Sequence, residues 1–503
     1  MVARTAAAAQ RDVPIAVHRP IGARLRLDSL ALYLPVAFTL RLMMFGKPAF
    51  QSDEQFYLLV AQRMAQGALP YVDIWDRKPW GLFAIYRMAY ALPFDPVLAY
   101  QLLGLVCSVL TALVIERVAR RIAPTRAAQL AGLVYLLWQP VFNVALGQSP
   151  VFYNLPVALA ALIVIDARTR AHAPLLARRG LEAMLLLGLA MQIKYTAVFE
   201  GIAFGLMLLG RGWTNGWPPR RLMLTGAGWV AAALAPTVMV WTGYAWLGHG
   251  DAFAQANFTS ILGRTTDMSE AFGRLAKECL ALIPFALALL LAPHRLRPVR
   301  GDHPAALPSL RIWALASTGG FVAFGTWYDH YLGPVLVPLS VLAAPALARS
   351  QPGERWYGRL LLGLGMVGAI AVPALQVREK GDAAQFRAVT RTIAQELHGR
   401  CLYVFEGDSA LYRTTNACIP TRFAYPSHLN AMNEARALNI DPVREVRRIM
   451  ASRPGVVVIG LSKRPNRANE ATRRIVMDAL RTDYEAYAKV SLGTRWFALW
   501  RRK

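Results

Sequence analysis

Before residue 378 the chain holds about eleven stretches of 13 to 22 mostly apolar residues, separated by short polar loops. A helix needs ~20 such residues to cross the hydrocarbon core of a bilayer, so this pattern points to a bundle of membrane-spanning helices. The stretches are Leu30 to Phe45, Val97 to Ile115, Ala127 to Leu146, Val151 to Ile165, Leu181 to Ile193, Tyr195 to Leu209, Gly226 to Leu247, Leu280 to Ala292, Ile312 to Thr326, Tyr331 to Leu347 and Leu360 to Val377. Leu181 to Leu209 reads either as two short helices broken near Lys194 or as one long tilted helix, so the count is good to one either way. Only 17% of residues are charged and 55% are hydrophobic. A soluble enzyme carries about 25% charge, which excludes that class for most of the chain. Disorder needs low hydrophobicity, and is excluded too.

The formal charge of +26 would suggest a nucleic-acid partner if it were clustered on one face. It is not. Alternate short loops hold 23 of the basic residues, among them Arg4, Arg11, Arg19, Arg24 and Arg26 in the tail, then Arg117 to Arg126, Arg168 to Arg179, Arg211 to Arg221, Arg295 to Arg311 and Arg349 to Arg359. The intervening loops hold eight. Basic residues stay on the cytoplasmic side, so the amino terminus is expected inside and the segment after the eleventh span outside. The first apolar run follows a long Ala/Arg tail with no small-residue cleavage site after it, so no cleavable signal is expected. The expected organisation is a cytoplasmic tail (1–29), a membrane domain (30–377) with a long first external loop (46–96), and an external α/β domain (378–503).

That last segment has 23 Lys+Arg against 12 Asp+Glu, with β-type runs at Cys401 to Phe405 and Val456 to Ile459 and helix-like stretches at Asp382 to Leu397 and Asn466 to Leu480. Its basic excess reads as a solvated face near anionic lipid or as an anionic-ligand site, the first being favoured. Cys401 and Cys418 fall in it, where an oxidising compartment permits a disulfide. Cys107 and Cys279 lie in or beside spans.

The first external loop is about fifty residues long, and loops of that length tend to be functional. Acids gather there: Asp53 and Glu54 in S-D-E-Q-F-Y, which also holds Tyr57, then Asp73 and Asp76 just before Arg77 and Lys78. Only four lysines precede residue 378, at 47, 78, 194 and 277, although arginine is plentiful. A lysine in a Pro-flanked turn of such a chain suggests a need for a compact ammonium, and carboxylates beside it at a membrane surface could deprotonate a hydroxyl while a phosphate is held. The bland alternatives are a snorkelling Lys78 and a helix-capping Asp53.

Asp53-Glu54, a helix, and then G-x-L-P-Y-x-D-x-W-D-x-K-P-W-G at Gly67 to Gly81 resemble the first external loop of bacterial glycosyltransferases of the GT-C fold. The resemblance is to the branch with the protein O-mannosyltransferases and the lipid A aminoarabinose transferases. G-L-A-M-Q-I-K-Y-T-A at Gly188 to Ala197 and H-Y-L-G-P-V-L-V-P at His330 to Pro338 are similar to later segments of that family. The resemblance implies an α-helical polytopic enzyme that transfers a sugar, with inversion, from a polyprenyl-phosphate carrier to a lipid A or lipopolysaccharide, cell-surface glycan or protein acceptor outside the bacterial inner membrane, with no nucleic acid involved. It makes Asp53 the base, with Glu54 beside it in the catalytic pair, and Lys78 the phosphate ligand. Asp76 and Glu54 become assisting acids, and Lys194, His330 and Tyr331 line the donor site. Arg77 and Arg264 are further candidates for the phosphate, and Tyr57 for the donor lining. The family pattern has an acid directly before the loop lysine, where this chain has Arg77, so a divalent metal (Mg or Mn) on Asp53 and Asp76 stays open.

Other features are weaker. Gly248 to Gly273 reads as a plain amphipathic connection, with a cover for the acceptor as the alternative. Trp75, Trp80, Tyr86 and Tyr90 read as an interfacial belt rather than a sugar platform. Arg41 and Glu200 inside spans would mark a cavity lining if buried. The rival functions are a flippase for a lipid-linked sugar, which should show internal repeats and paired broken helices, and a sensory membrane protein, which would not need the loop acids.

Overall fold

The computed structural model describes residues 27–170, 173–291, 306–348, 356–462 and 466–503. The tail arginines, Arg295, Arg297, Arg300, Arg349 and Arg355 lie outside the described residues. In chain order the membrane part runs α1 (Leu27–Thr39), α2 (Ser52–Ala65), α3 (Trp80–Tyr90), α4 (Pro96–Ala119), α5 (Thr125–Trp138), α6 (Ser149–Arg170), α7 (Ala173–Met191), α8 (Val198–Thr214) and α9 (Pro219–Trp246). It continues through α10 (Gly250–Ala254), α11 (Met268–Leu291), α12 (Ala306–Ala323), α13 (Gly333–Leu347) and α14 (Trp356–Lys380). Each of the eleven apolar stretches falls at least partly on one of these helices, and the chain is a multi-pass membrane protein. By length and composition five described segments can span a bilayer: Pro96–Ala119, Ser149–Arg168, Pro219–Trp246, Asp329–Leu347 and Trp356–Leu397.

Local chemistry sets several of the ends. Asp95 caps α4 by accepting from Leu98 N at 2.9 Å, with Pro96 at the first helical position. The first span is shorter than expected: α1 stops at Thr39 and the chain turns through Phe45. There Arg41 is fully buried, and its guanidinium is held by the fold. Its guanidinium donates to Ala145 O at 2.6 Å, Ala37 O at 2.8 Å, Gln139 Oε1 at 2.7 Å and Ser108 Oγ at 3.1 Å, tying α1 to α4 and α5. Between α7 and α8 the helix breaks at Lys194, which is extended (φ −157°), before a 3-10 turn at Tyr195–Ala197.

The long external loop carries α2 and α3, joined by a tight turn in which Tyr71 takes φ 70° and its hydroxyl donates to Lys78 O at 2.9 Å. Residues Glu54 to Gln62 of α2 are buried all round. Of the four aromatic residues expected at the bilayer interface, Trp75 and Tyr86 are internal, while Trp80 and Tyr90 are only partly buried. Trp75 is 1% exposed and packs on Phe423 and His428, while Tyr86 is fully buried against Tyr57 and Tyr100. The loop is therefore sandwiched between the bundle and the C-terminal segment rather than lying along lipid.

The C-terminal segment adds α15 (Ala383–Leu397), β1 (Leu402–Val404), α16 (Ala410–Thr415), α17 (Pro426–Asn430), α18 (Pro442–Ala451), β2 (Val456–Gly460), α19 (Glu470–Asp483), β3 (Tyr484–Leu492) and β4 (Arg495–Arg502). The sheet order is β1-β2-β4-β3, with β1 and β2 parallel and the other pairs antiparallel. Asp382 and Gln385 close a capping box at the start of α15. This α/β unit sits on the external loop: Arg63 donates to Ala417 O at 2.9 Å, and Trp75 N to Arg422 O at 2.8 Å. Cys401 and Cys418 form a disulfide next to that contact, and Leu402 N donates to Cys418 O at 3.1 Å.

The disulfide spans 17 residues, a loop length for which cross-linking is worth about 3 kcal/mol. Replacing both cysteines by serine should lower the melting temperature of the full-length protein in detergent by several degrees. Thiol labelling of the unfolded wild type should modify only Cys107 and Cys279 until a reductant is added.

Candidate active site

Where the loop, the bundle and the α/β unit meet there is a cavity of about 730 Å³, within the size range of small-ligand sites. Asp53, Tyr57, Asp76, Arg77, Lys78, Lys194, Arg264, His330 and Tyr331 all line it. Five separate segments supply them: the first turns of α2, the loop before α3, the break after α7, the turn after Ser260–Gly263, and the 3-10 turn Asp329–Leu332 that leads into α13. Glu54 is the exception. One residue along a helix is a rotation of about 100°, which turns Glu54 away from the cavity. It is fully buried and accepts from Gly147 N at 2.9 Å. Glu54 therefore anchors α2 beside the start of α6, one residue along from Asp53 and off the cavity lining.

Asp53 is engaged on several sides. Tyr425 of the α/β unit donates its hydroxyl to Asp53 Oδ1 at 2.7 Å. Burial works to raise this carboxyl, but Lys78, then His330, and hydrogen bonds from Tyr425 and Gln148 outweigh it and hold the group below the ordinary carboxylate range. It is a fixed anion. Asp76 goes the other way: burial pushes it up to about 6 against the pull of Lys78 and Arg77. Burial likewise raises Glu54 to about 7, with the Gly147 amide opposing.

The basic groups divide into two sets. Arg77 and Arg264 both pair with Glu434, Arg264 at 3.0 Å from Oε1. Burial would raise Glu434, yet the hydrogen bond and charge of Arg77, then the charge of Arg264, bring it down to about 2. Both guanidiniums, expected to hold a donor phosphate, thus already share one carboxylate at the wall. The second set is lysine. Lys78 Nζ stands 5.7 Å from the Tyr57 ring, and Lys194 Nζ 3.8 Å from the Tyr331 ring. With Glu434 taken by the two arginines, two ammonium groups face the space that Asp53 and Asp76 also line.

A divalent ion on Asp53 and Asp76 fits this set poorly. Among the described residues no group of three or more His, Cys, Asp or Glu gathers to hold a metal. Asp53 is bonded to Tyr425, and Asp76 Oδ1 accepts from Arg77 N at 2.7 Å. Glu200 is buried as well, accepting from Ser317 Oγ at 2.8 Å, and it borders a small void shared with Lys194. The connection after α9 contributes Asn257 and Arg264 to the cavity, more than a plain link would.

Sequence reasoning missed the contribution of the α/β unit, from which Tyr425, Ser427, His428 and Glu434 reach the cavity. No motif surrounds them.

No protein-family model matches the chain, and no curated protein matches it at a significant level. Solved structures do match in shape. ArnT from Cupriavidus metallidurans, in the crystal structure bound to undecaprenyl phosphate, superposes with a TM-score of 0.65 at 17% identity, covering 94% of this chain and 97% of that one. Its apo state gives 0.62 at 16% identity, with 93% and 97% covered. The apo oligosaccharyltransferase of Archaeoglobus fulgidus gives 0.52 at 12%, with 86% and 69% covered. The chain has the GT-C fold. In this GT-C fold the assignment of chemistry rests on the cavity residues, since identities this low carry the architecture alone.

The raised Glu54 carboxyl yields a test of its place. A folded-state value above the ordinary 4.5 means that the folded protein binds the extra proton, so stability falls as pH rises from about 4.5 to about 7. Glu54→Gln keeps a hydrogen-bonding amide and removes this loss. Its melting temperature should gain on the wild type across that window, by the equivalent of up to about 3 kcal/mol, and match it near pH 4; parallel profiles would mean that Glu54 is not buried as described.

Proposed function

We propose that the protein is a membrane glycosyltransferase that moves a sugar from a polyprenyl-phosphate donor to an acceptor hydroxyl at the outer face of the bacterial inner membrane. The observation that carries this reading is the meeting of one fixed carboxylate, Asp53, and two lysines, Lys78 and Lys194, in a single cavity that also has exposed apolar lining. Val198 of α8, Leu234 of α9, and Phe258 and Ile261 of the connection after α10 line it and are themselves exposed. A site that combines lysines with exposed apolar side chains suits a ligand with a phosphate head and a hydrocarbon tail. The similar ArnT structure was solved with undecaprenyl phosphate.

The chemistry follows from the charges. Lys78, with Lys194, holds the phosphate oxygens of the donor and stabilises the charge they gain as the anomeric C–O bond breaks, in a cleft where water is scarce. The acceptor oxygen attacks the anomeric carbon from the opposite side, and Asp53 takes its proton. One bond forms, one breaks, the electron pair leaves on polyprenyl phosphate, and configuration inverts. A carboxylate held below its usual range is a weak base, so the proton moves late, once the new C–O bond has made the hydroxyl acidic. No covalent nucleophile is needed. Tyr57 and Tyr331 keep the two ammonium groups against aromatic faces, and Asp76, near neutral in its proton affinity, lies beside Lys78. Asp53 and Asp76 carry no metal step in this scheme.

Labelled polyprenyl-phosphate sugar supplied to membrane vesicles tests the assignment. Asp53→Asn should cut transfer by about 10²-fold or more while donor binding holds. Lys78→Met should weaken donor binding by about tenfold or more. Undiminished transfer by Asp53→Asn would remove the base. Translocation of the lipid-linked sugar without transfer would favour the flippase instead.

A further inference from the structure

A second cavity, of about 220 Å³, lies in the α/β unit against the membrane domain. It sits past the carboxyl ends of the parallel strands β1 and β2, where Gly407, Asp408 and Ser409 follow β1 and Gly460 ends β2. That is the end of an α/β sheet at which ligands bind. Four residues, Ser52, Tyr425, Ser427 and Asn466, line both this cavity and the larger one. Tyr425 stands in the shared wall with its hydroxyl on Asp53, so a hydroxyl can reach the base from this side.

The lining indicates what would occupy it. The four charged residues of its lining balance in sign, Lys380 and Arg495 against Glu406 and Asp408: Arg495 grips Asp408 with two bonds at 2.9 and 3.1 Å, Arg473 lies 4.0 Å from Glu406, and Lys380 Nζ donates to the neutral Phe50 O at 2.8 Å. A phosphate or carboxylate would meet two carboxylates here together with the two cations. What else faces the space is hydroxyl, amide and aromatic. Ser409 is 1% exposed, and its Oγ has no hydrogen-bond partner among the described residues, an arrangement that a ligand polar group would relieve. Trp496, at the rim, is 45% exposed; Lys489 Nζ stands 4.9 Å from its ring, and a sugar could stack on the ring only at a face that Lys489 leaves open. The volume is below the ~300 Å³ at which sites for whole small ligands begin, so one ring of a larger molecule fits.

We propose that this cavity binds a neutral sugar ring of a glycan acceptor, the hydroxyl to be modified extending past Tyr425 to Asp53. The proposal rests on the transferase reading and is tested apart from it. Full-length protein in lipid nanodiscs would be titrated with methyl β-D-glucopyranoside, methyl β-D-galactopyranoside and, separately, inorganic phosphate, with binding read by saturation-transfer NMR. Trp496→Ala and Ser409→Ala, neither of which removes a hydrogen bond seen in the fold, are the variants. At least one glycoside should bind the wild type, and each variant should weaken it by about tenfold, while slow hydrolysis of the polyprenyl-phosphate donor in the absence of acceptor stays unchanged. Phosphate binding here in place of the glycosides, no binding at all, or glycoside binding indifferent to both substitutions would overturn the assignment. Translocation of the labelled donor with no sugar transfer to any hydroxyl acceptor would instead overturn the transferase reading.

Discussion

Inside a bilayer an open backbone is tolerated only where protein buries it or where it lines a polar cavity, and the site here is built from such openings. The helix breaks at Lys194, between α7 and α8, and the 3-10 turn at Asp329–Leu332 precedes α13. Both breaks point side chains into the same 730 Å³ space. The freed backbone groups are partly met locally, Lys194 N by Ala190 O at 3.0 Å and Tyr331 N by Tyr328 O at 2.9 Å. The polar cavity is thus the condition under which these helices can be interrupted at all, and the interruptions supply the cavity with its second lysine and its histidine.

How much of this could be seen in the chain depends on the range of the interaction. Apolar run length is a local property, so the bundle was legible, and the break near Lys194 stood as one of two readings. The grouping of Asp53, Asp76 and Lys78 was legible as a spacing within one loop. Glu54 was not, because adjacency in sequence is a rotation of about 100° on a helix, and two neighbouring acids meet different surroundings. The interfacial belt was misjudged for a related reason: Trp75 and Tyr86 have the composition of a lipid boundary, and only the packing of Phe423 and His428 from some 350 residues away makes Trp75 interior. Tyr425 and Glu434 left no trace, since a hydrogen bond or ion pair between distant segments imposes no pattern on either.

Electrostatics explains why the two arginines and the two lysines cannot be exchanged. Glu434 holds Arg77 and Arg264 together, one carboxylate meeting two guanidiniums that would each be costly to bury alone and leaving one positive charge over. The pairing fixes the loop before α3 to the α/β unit and to the turn at Arg264. Lysine carries its charge as a point on a flexible stem, and Lys78 and Lys194 rest against the Tyr57 and Tyr331 rings rather than in ion pairs. The arginines are therefore held by that carboxylate, while the lysine amines stand against ring faces.

The α/β unit then cannot be a passive appendage. Its docking contacts fall on the elements that carry the reacting groups: Arg63 of α2 bonds Ala417 O, Trp75 of the loop bonds Arg422 O, and Tyr425 bonds Asp53 itself. The Cys401–Cys418 cross-link lies beside the first of these, so it restrains the surface on which α2 rests. On the proposed reading, a unit that contacts Asp53 and offers a polar cleft sharing its wall couples acceptor placement to the geometry of that carboxylate. An acceptor hydroxyl entering along that wall would meet the carboxylate where the Tyr425 hydroxyl now sits, and would have to share or displace that hydrogen bond before being deprotonated. Water would meet the same requirement without the cleft contacts to hold it in place, which on this reading is a physical basis for preferring transfer over hydrolysis.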